Sequence, residues 1–118
     1  MNFHSFTQRG MGVLNLVEQV RTQAFKQPEK VAYHFKGKDT SYGEFEFQVG
    51  RFAYALQQMG VQKGDHVALL LANTPHYLIS LYATMRIGAV AIPINPTYTP
   101  DEISYIIKSG DVKVVIAV

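Results

Sequence analysis

The spacing of apolar residues predicts a helix and a short hairpin near the start of the chain. Four apolar residues recur at helical intervals before Pro28 stops the run: Val13, Val17, Val20 and Ala24. Val31–Phe35 then alternates as a strand, and residues 36–39 supply a turn after which Thr40 and Ser41 pair back. The pattern therefore predicts a helix followed by a β-hairpin.

A second helix is predicted directly after the hairpin. Ser41 and Glu44 form a capping box, in which the hydroxyl and the carboxylate each satisfy a free backbone N–H at the helix start. One apolar stripe follows: Phe45, Val49, Phe52, Ala53 and Leu56. Gly60 stands where a helix favours a left-handed residue, and Val61 is placed to contact Leu56 across it.

The second half of the chain alternates apolar runs with helical segments. The runs 67–72, 89–94 and 112–118 are typical of strands buried on both faces. A helix from Pro75 to Ile87 separates the first two strands; Asn73 and Thr74 cap it, Pro75 is its first residue, and Gly88 ends it. A helix capped by Thr99 and Glu102 separates the last two strands. Parallel strands need such crossovers, which are almost always right-handed. The predicted fold class is α/β, an open, mainly parallel sheet with helices on both faces from Val67 onward.

Composition narrows the functional classes. The chain has 118 residues, is 47% hydrophobic and 17% charged, and has no cysteine, which excludes a disordered tail, a disulfide scaffold and a thiolate metal site. A net charge of +2 without a basic block gives no support to a nucleic-acid partner. Without a long apolar run or a signal-peptide pattern, we expect a cytoplasmic protein.

The pattern also suggests how the chain is divided. Residues 1–12 are polar and glycine-containing, and we interpret them as a flexible arm or leader. Residues 13–118 are interpreted as an incomplete segment of a larger domain, because the apolar run 112–118 has no helix after it to cover the sheet. An uncovered apolar strand favours pairing, so we expect the chain to self-associate.

Candidate binding residues lie where predicted strands end. In doubly wound sheets, ligands sit beyond the carboxyl ends of the strands, often at helix N-termini. The loops there contain Asn73 and Thr74 after the first strand, and Asn95 and Tyr98 after the second. These four are the candidates for a substrate-facing rim, although helix capping and packing explain the same residue types.

The sequence contains little that indicates a metal site or a known catalytic or phosphate-binding motif. His4, His34, His66 and His76 share no metal-ligand spacing, so we expect structural roles and no metal site. A G-x-S-x-G nucleophile elbow, a G-x-G-x-x-G fingerprint and a P-loop are all absent. No residue is assigned to catalysis or to cofactor binding.

Four segments together resemble adenylate-forming enzymes, the family of acyl-CoA ligases, luciferases and adenylation domains. Residues 40–45 resemble its first core motif, and residues 85–95 resemble its second, with Arg86 for Lys, Ile87 for Ala and Phe45 for Leu as mild departures. Residues 64–75 are similar to the family's G-D-x-V strand and the helix start after it. Residues 93–102 look most like bacterial long-chain fatty acid–CoA ligases. The resemblance runs from about residue 14 to 118.

The resemblance implies a two-step ligase that uses ATP, coenzyme A and Mg²⁺ on a fatty acid substrate. It allows peripheral membrane contact through that lipid substrate. The catalytic motifs of the family (a Ser/Thr/Gly-rich phosphate loop, a Thr-Glu motif, a ribose-binding Asp and a mobile lysine) do not occur in these residues. The matched residues Tyr42, Glu44, Gly88 and Pro93 look architectural.

Three functional hypotheses follow. The first is the N-terminal part of a fatty acyl–CoA ligase, inactive alone. The second is a stand-alone Rossmann-like nucleotide-binding module, which would need a phosphate-cradling loop that the glycine-free loops 72–75 and 95–99 do not offer. The third is a non-enzymatic interaction fragment that pairs through its open sheet.

Overall fold

The computed structural model describes residues 10–117, with side chains from Val17 onward. Within these described residues, nine elements follow one another in chain order. They are α1 (Gly10–Lys26), β1 (Val31–Phe35), β2 (Lys38–Ser41), α2 (Tyr42–Gln58), β3 (His66–Leu70), α3 (Pro75–Arg86), β4 (Val90–Pro93), α4 (Pro100–Ser109) and β5 (Val112–Ala117).

Helix α1 begins at Gly10, earlier than the predicted start at Val13. Residues 10–12, which were predicted to belong to a flexible arm, therefore form the first turn of a helix. The rest of that prediction, together with His4, lies outside the described residues.

The predicted hairpin is present as a separate two-stranded sheet of β1 and β2. Its turn places Lys36 at φ 51° and Gly37 at φ 79°, the left-handed pair that tight hairpins require. The ring of Tyr33 in β1 packs edge-on against Phe45 at 5.7 Å between centroids, and Phe45 packs against Tyr82 at 5.4 Å. This aromatic chain fixes the hairpin against helices α2 and α3.

Helix α2 begins and ends where predicted, but only the Ser41 half of the predicted capping box forms, since the Glu44 carboxylate bonds to no described residue. The Glu44 N–H donates to Ser41 Oγ at 3.2 Å, which satisfies one of the free donors of the first turn. At the other end the Val61 N–H donates to the Leu56 carbonyl at 3.0 Å, across Gly60. The helix buries the predicted stripe except Phe52, which is only partly buried.

The main sheet has three parallel strands in the order β4-β3-β5. The crossover from β3 to β4 carries α3 and the crossover from β4 to β5 carries α4. Because these crossovers run in opposite directions, right-handedness places their helices on opposite faces. The predicted α/β class with helices on both faces is confirmed.

The core lies on the face covered by α1, α2 and α3. Strand β3 contributes Val67 and Leu69 to it, and neither is exposed. The helices contribute the remaining large buried side chains: Val17, Val20, Phe45, Val49, Leu56, Leu78, Leu81 and Met85. This burial supplies most of the driving force for folding.

The prediction that all three strands are buried on both faces is wrong for β4 and β5. Val90 is 44% exposed and Val115 is 40% exposed, while Val67, Ala68 and Leu69 of β3 are fully buried. Of the three strands described in this sheet, only β3 has a neighbour on each side. Helix α4, which covers the second face, has no buried side chain of its own.

Strand β4 ends in a proline whose nitrogen lies on the outer edge of the sheet. The N–H groups of Val90 and Ile94 donate to carbonyls of Asp65 and Leu69, on the β3 side. Since successive backbone groups of a strand alternate in direction, the nitrogen of Pro93 faces outward. Proline has no N–H, so this edge lacks a donor there.

Candidate functional site

Two loops leave the sheet at its carboxyl edge. The loop after β3 contains Asn73 and Thr74, and the loop after β4 contains Asn95 and Tyr98. Because β3 and β4 are adjacent and parallel, both loops lie at the same edge. The Ile94 N–H bond to the Leu69 carbonyl, 2.9 Å long, holds the two strand ends together.

The loop after β3 leads into α3 without the predicted hydroxyl cap. Thr74 is the N-cap residue and Pro75 occupies the first turn, as predicted, but Thr74 makes no side-chain cap bond. Its hydroxyl instead donates to the Ala72 carbonyl at 3.4 Å. The exposed side chain of Asn73 makes no hydrogen bond to another described residue, which leaves its amide open to solvent.

The loop after β4 is a compact turn whose polar groups bind one another. Asn95 Oδ1 accepts from the Thr97 N–H at 2.9 Å and from the Thr97 hydroxyl at 2.7 Å. The Tyr98 N–H donates to the Asn95 carbonyl at 3.1 Å. Asn95 therefore has an adequate structural role as a turn residue.

Tyr98 and the start of α4 complete this edge. The Tyr98 ring is 42% exposed. Next to it, the Thr99 hydroxyl accepts from the Glu102 N–H at 3.2 Å and donates to Glu102 Oε1 at 3.0 Å, so the predicted cap of α4 is confirmed. Of the four candidates, Asn73 and Tyr98 are thus the most available for contact with another molecule.

Two tyrosines of α3 are partly buried. Burial raises the pKa of the Tyr77 phenol in the first turn of α3. The pKa of Tyr82 is raised by burial and, to a smaller extent, by Tyr42. Both rings pack against the core.

A second polar cluster lies at the opposite, amino edge of the sheet. Asp65 Oδ2 accepts from the Gln62 N–H at 2.7 Å and from Lys113 Nζ at 3.1 Å, and Lys113 also donates to the Gly60 carbonyl at 2.7 Å. These bonds, led by that from Gln62, lower the pKa of Asp65. The cluster ties β5 to the start of β3.

The histidines that the structure describes fit structural roles. His66 Nδ1 contacts the Gly110 carbonyl at 2.5 Å, which fastens the turn after α4 to β3. His34 Nδ1 contacts Asp39 Oδ1 at 2.5 Å across the hairpin. His76 is exposed in the first turn of α3. Among the described residues, no group of three or more His, Cys, Asp or Glu side chains is placed to hold a metal ion.

A partly buried ion pair joins α3 to α2 without a local sequence signal. Arg86 Nη2 donates to Glu46 Oε2, joining the last turn of α3 to α2, and Arg21 of α1 lies 4.0 Å from the other carboxylate oxygen. The side chains of Arg86 and Glu46 are only 18% and 26% exposed. Glu46 and Arg86 are 40 residues apart, so no local pattern pairs them. What the sequence offers toward this pairing is one charged residue on each of two helices that pack together.

Comparison with known proteins decides the family. The model of the AMP-binding enzyme family matches residues 20–118. The chain belongs to this family. The predicted resemblance to adenylate-forming enzymes is thereby confirmed.

The AMP-binding relatives are much longer than this chain. It is 36% identical over 93 residues to the long-chain-fatty-acid–CoA ligase of Bacillus subtilis (strain 168). This alignment covers 79% of this chain and 17% of that protein. A Mycobacterium tuberculosis fatty acyl CoA synthetase superposes with a TM-score of 0.79 at 31% identity, over 85% of this chain and 20% of that one. The chain thus spans about a fifth of these relatives.

The structure of an isolated N-terminal subdomain shows which part of these longer proteins the chain matches. The N-terminal subdomain of Klebsiella oxytoca NpsA, in complex with anthranilyl-AMSN, superposes with a TM-score of 0.80 at 26% identity. The match covers 86% of this chain and 26% of that subdomain. The chain therefore corresponds to part of an AMP-binding N-terminal domain. Among its described helices, none combines the length and apolarity needed to cross a bilayer.

Proposed function

We propose that this chain is the N-terminal part of an ATP-dependent fatty acid–CoA ligase. The observation that carries the proposal is the family match over residues 20–118, together with 36% identity to a long-chain-fatty-acid–CoA ligase. The motif at residues 93–102, which resembles bacterial ligases of this class, supports the same substrate class.

The proposed reaction has two steps. In the first, a carboxylate oxygen of the fatty acid attacks the α-phosphorus of ATP, forming the acyl-adenylate and releasing pyrophosphate. In the second, the thiol of coenzyme A loses its proton and attacks the acyl carbonyl carbon, and AMP leaves. Both steps need charge stabilisation at phosphate or acyl oxygens. We assign no residue of this chain to either step, and none of its described residues to Mg²⁺.

The proposed contribution of this chain is a wall of the substrate site. Asn73, Thr74, Asn95 and Tyr98 lie at the sheet edge where α/β folds bind ligands. We propose that they face the substrate, with Asn73 and Tyr98 the most open to contact. Peripheral membrane contact through the lipid substrate and a cytoplasmic location belong to the same proposal.

The isolated chain tests where the catalytic groups lie. Purified residues 1–118 are expected to show no ATP-dependent pyrophosphate exchange with any fatty acid, because the motifs that bind and activate ATP are absent from them. Exchange above the level of a protein-free blank would contradict the proposal. Calorimetry with AMP, ATP and NAD separates the alternative of a stand-alone nucleotide-binding module, which would bind one of them with micromolar affinity.

A chimera tests the activity itself. We expect the B. subtilis ligase to retain fatty acyl-CoA synthesis within about tenfold when its matched segment is replaced by residues 20–118 of this chain, since the fold is shared. A chimera that folds, as judged by circular dichroism, but makes no acyl-CoA would refute the proposal.

In the same chimera, single changes test the substrate wall. Asn73→Ala and Tyr98→Ala are expected to raise KM for ATP or fatty acid at least about threefold, through loss of contacts worth roughly 0.7 kcal/mol or more. The matched control is Tyr54→Ala, an exposed aromatic on α2 and outside the two loops. Equal effects at Tyr98 and Tyr54 would remove Tyr98 from the site.

A further inference from the structure

We propose that a cleft beside α1 binds a small molecule that carries a primary ammonium group and an apolar body. The cleft is separate from the proposed substrate wall, since Asn73, Thr74, Asn95 and Tyr98 do not line it. The inference therefore goes beyond the proposed function and does not depend on it.

The cleft lies where α1 meets the helices α2 and α3. Its main cavity has a volume of about 550 Å³, within the range of pockets that hold small molecules. Helix α1 contributes Glu18, Thr22 and Gln23 to the lining, and Tyr42 and Tyr82 come from α2 and α3. Carboxylate, amide and phenol groups thus surround one space and can orient a ligand within it.

An unpaired acceptor at Gln23 indicates which group the ligand presents. The Gln23 Oε1 atom is buried and accepts no hydrogen bond from any described residue. Buried acceptors in folded proteins nearly always have a donor. Since Gln23 lines the cavity, an N–H group of a bound ligand can supply the missing donor.

The charge of the cleft favours a cation. Glu18 is the one charged residue among the described residues that line the main cavity. Arg21, on the next turn of α1, lies 4.0 Å from Glu46, and Glu18 has no ion-pair partner among the described residues. The rings of Tyr42 and Tyr82 add a second attraction, because the face of an aromatic ring attracts a cation. A primary ammonium group combines the positive charge with the N–H donors.

A neighbouring cavity gives room for an apolar body. It has a volume of about 610 Å³ and shares Glu18 and Thr22 with the main cavity. Ala24 and Phe25 line it farther along α1, and Phe25 is 89% exposed. A ligand whose ammonium group lies at Glu18 can therefore cover the Phe25 ring with its apolar part.

A set of three ligands tests the proposal on the unaltered chain. The probe is 2-phenylethylamine, which is positively charged at neutral pH and has N–H donors. Trimethyl(2-phenylethyl)ammonium keeps the charge without an N–H group, and 2-phenylethanol keeps a hydrogen-bond donor without the charge. In titrations of residues 1–118 followed by NMR, we expect 2-phenylethylamine to bind at least about tenfold more tightly than either comparison ligand. The chemical shift changes should centre on α1 and Tyr42.

A fourth ligand separates a free amine from a lysine side chain of a peptide. N-acetyl-lysine methylamide presents the same ammonium group without the aromatic body, so we expect it to bind more weakly than 2-phenylethylamine. Tighter binding of this blocked lysine would identify a peptide as the occupant and overturn the proposal of a small molecule.

Two variants assign the contacts. Gln23→Leu is expected to abolish the preference for 2-phenylethylamine over its trimethyl analogue, because the acceptor is gone. Glu18→Gln is expected to weaken the binding of both cations about threefold and to leave 2-phenylethanol unchanged. The matched control is Glu29→Gln, which removes the same charge at an exposed residue that lines neither cavity and should change no affinity. Without ligand, Gln23→Leu should not lower the free energy of unfolding, since the oxygen it removes has no partner in the described fold.

Each contrary outcome overturns the inference. Absence of binding, equal binding of the three ligands, or shift changes away from the cleft would refute the site. Equal effects of Glu18→Gln and Glu29→Gln would show a general response to net charge. A clear loss of stability in Gln23→Leu without ligand would show that the amide oxygen is satisfied within the protein and needs no ligand.

Discussion

At the residue scale, the least expected feature is the ion pair between Glu46 and Arg86. It joins α2 to α3 at a partly buried position, and Arg86 Nε lies there without a hydrogen-bond partner among the described residues. The guanidinium is therefore held chiefly by one carboxylate. Removing that carboxylate would leave a cation that is poorly solvated.

We expect Glu46→Gln to lower the free energy of unfolding by about 2 kcal/mol, because it leaves the Arg86 charge uncompensated. Urea denaturation measures the change. The matched control is Glu18→Gln on the exposed face of α1, which should change stability by less than about 0.5 kcal/mol. The double change Glu46→Leu with Arg86→Met should cost less than the sum of the two single changes. Additive costs would show that the two side chains are not coupled.

The lowered pKa of Asp65 predicts how the stability of the fold depends on pH. Its pKa is lowered below the ordinary value of 3.8, first by the Gln62 N–H and then by Lys113. A carboxyl whose pKa is lower in the folded state stabilises the fold above its unfolded pKa, and this contribution is lost as pH falls through the folded pKa. We expect Asp65→Asn to make stability fall less steeply below about pH 4. A carboxyl carbon resonance of Asp65 that titrates at or above 3.8 would contradict this.

At the scale of elements, helices α3 and α4 begin with the same residue types but differ in their caps. Both have a threonine before a proline. The Thr99 hydroxyl caps α4 through Glu102, whereas the Thr74 hydroxyl turns back to Ala72. The difference follows from the residue three positions on, because the Glu102 carboxylate accepts from the Thr99 hydroxyl and fixes its orientation, whereas Tyr77 has no carboxylate.

Alanine substitutions test this difference. We expect Thr99→Ala to lower the free energy of unfolding by about 1 kcal/mol and Thr74→Ala to lower it by less than about 0.5 kcal/mol. Thermal or urea unfolding of the two variants under identical conditions gives the comparison. Equal losses would mean that the Thr74 hydroxyl caps α3 in solution.

The same contrast shows how far sequence predicts structure. Local signals predict local features well: the hydroxyl cap at Ser41, the turn at Gly37 and the glycine at 88, where φ is 78°, all follow from neighbouring residues. Burial of β4 and β5 was predicted wrongly, because an apolar run does not report whether neighbouring strands are present. The pairing of Glu46 with Arg86 depends on how two helices pack, which no local pattern encodes.

The candidate site was predictable only in part. Parallel strands bring Asn73, Thr74, Asn95 and Tyr98 to one edge, as strand order alone requires. The sequence did not reveal that Asn95 is bound within its own turn while Asn73 is free of such bonds, because side-chain hydrogen bonding depends on loop geometry.

At the scale of the whole molecule, the two faces of the parallel sheet differ in how well helices cover them. Helices α1, α2 and α3 bury the first face of the sheet around Leu69 and Leu81, neither more than 1% exposed. Among the described residues, the second face is covered by α4 alone, which buries none of its own side chains. The part of the large domain seen here is therefore a half-covered sheet, consistent with its match to about a fifth of its relatives.

The order β4-β3-β5 also bears on how such a chain is made. Of the three strands, β3 is synthesised first but occupies the middle of the sheet. One of its edges therefore has no pairing strand until β5, which begins at Val112, has been synthesised. During that interval, the nascent polypeptide carries an apolar strand with unpaired backbone groups along one edge. Chaperones that hold extended apolar segments have their best opportunity to bind at this stage of synthesis.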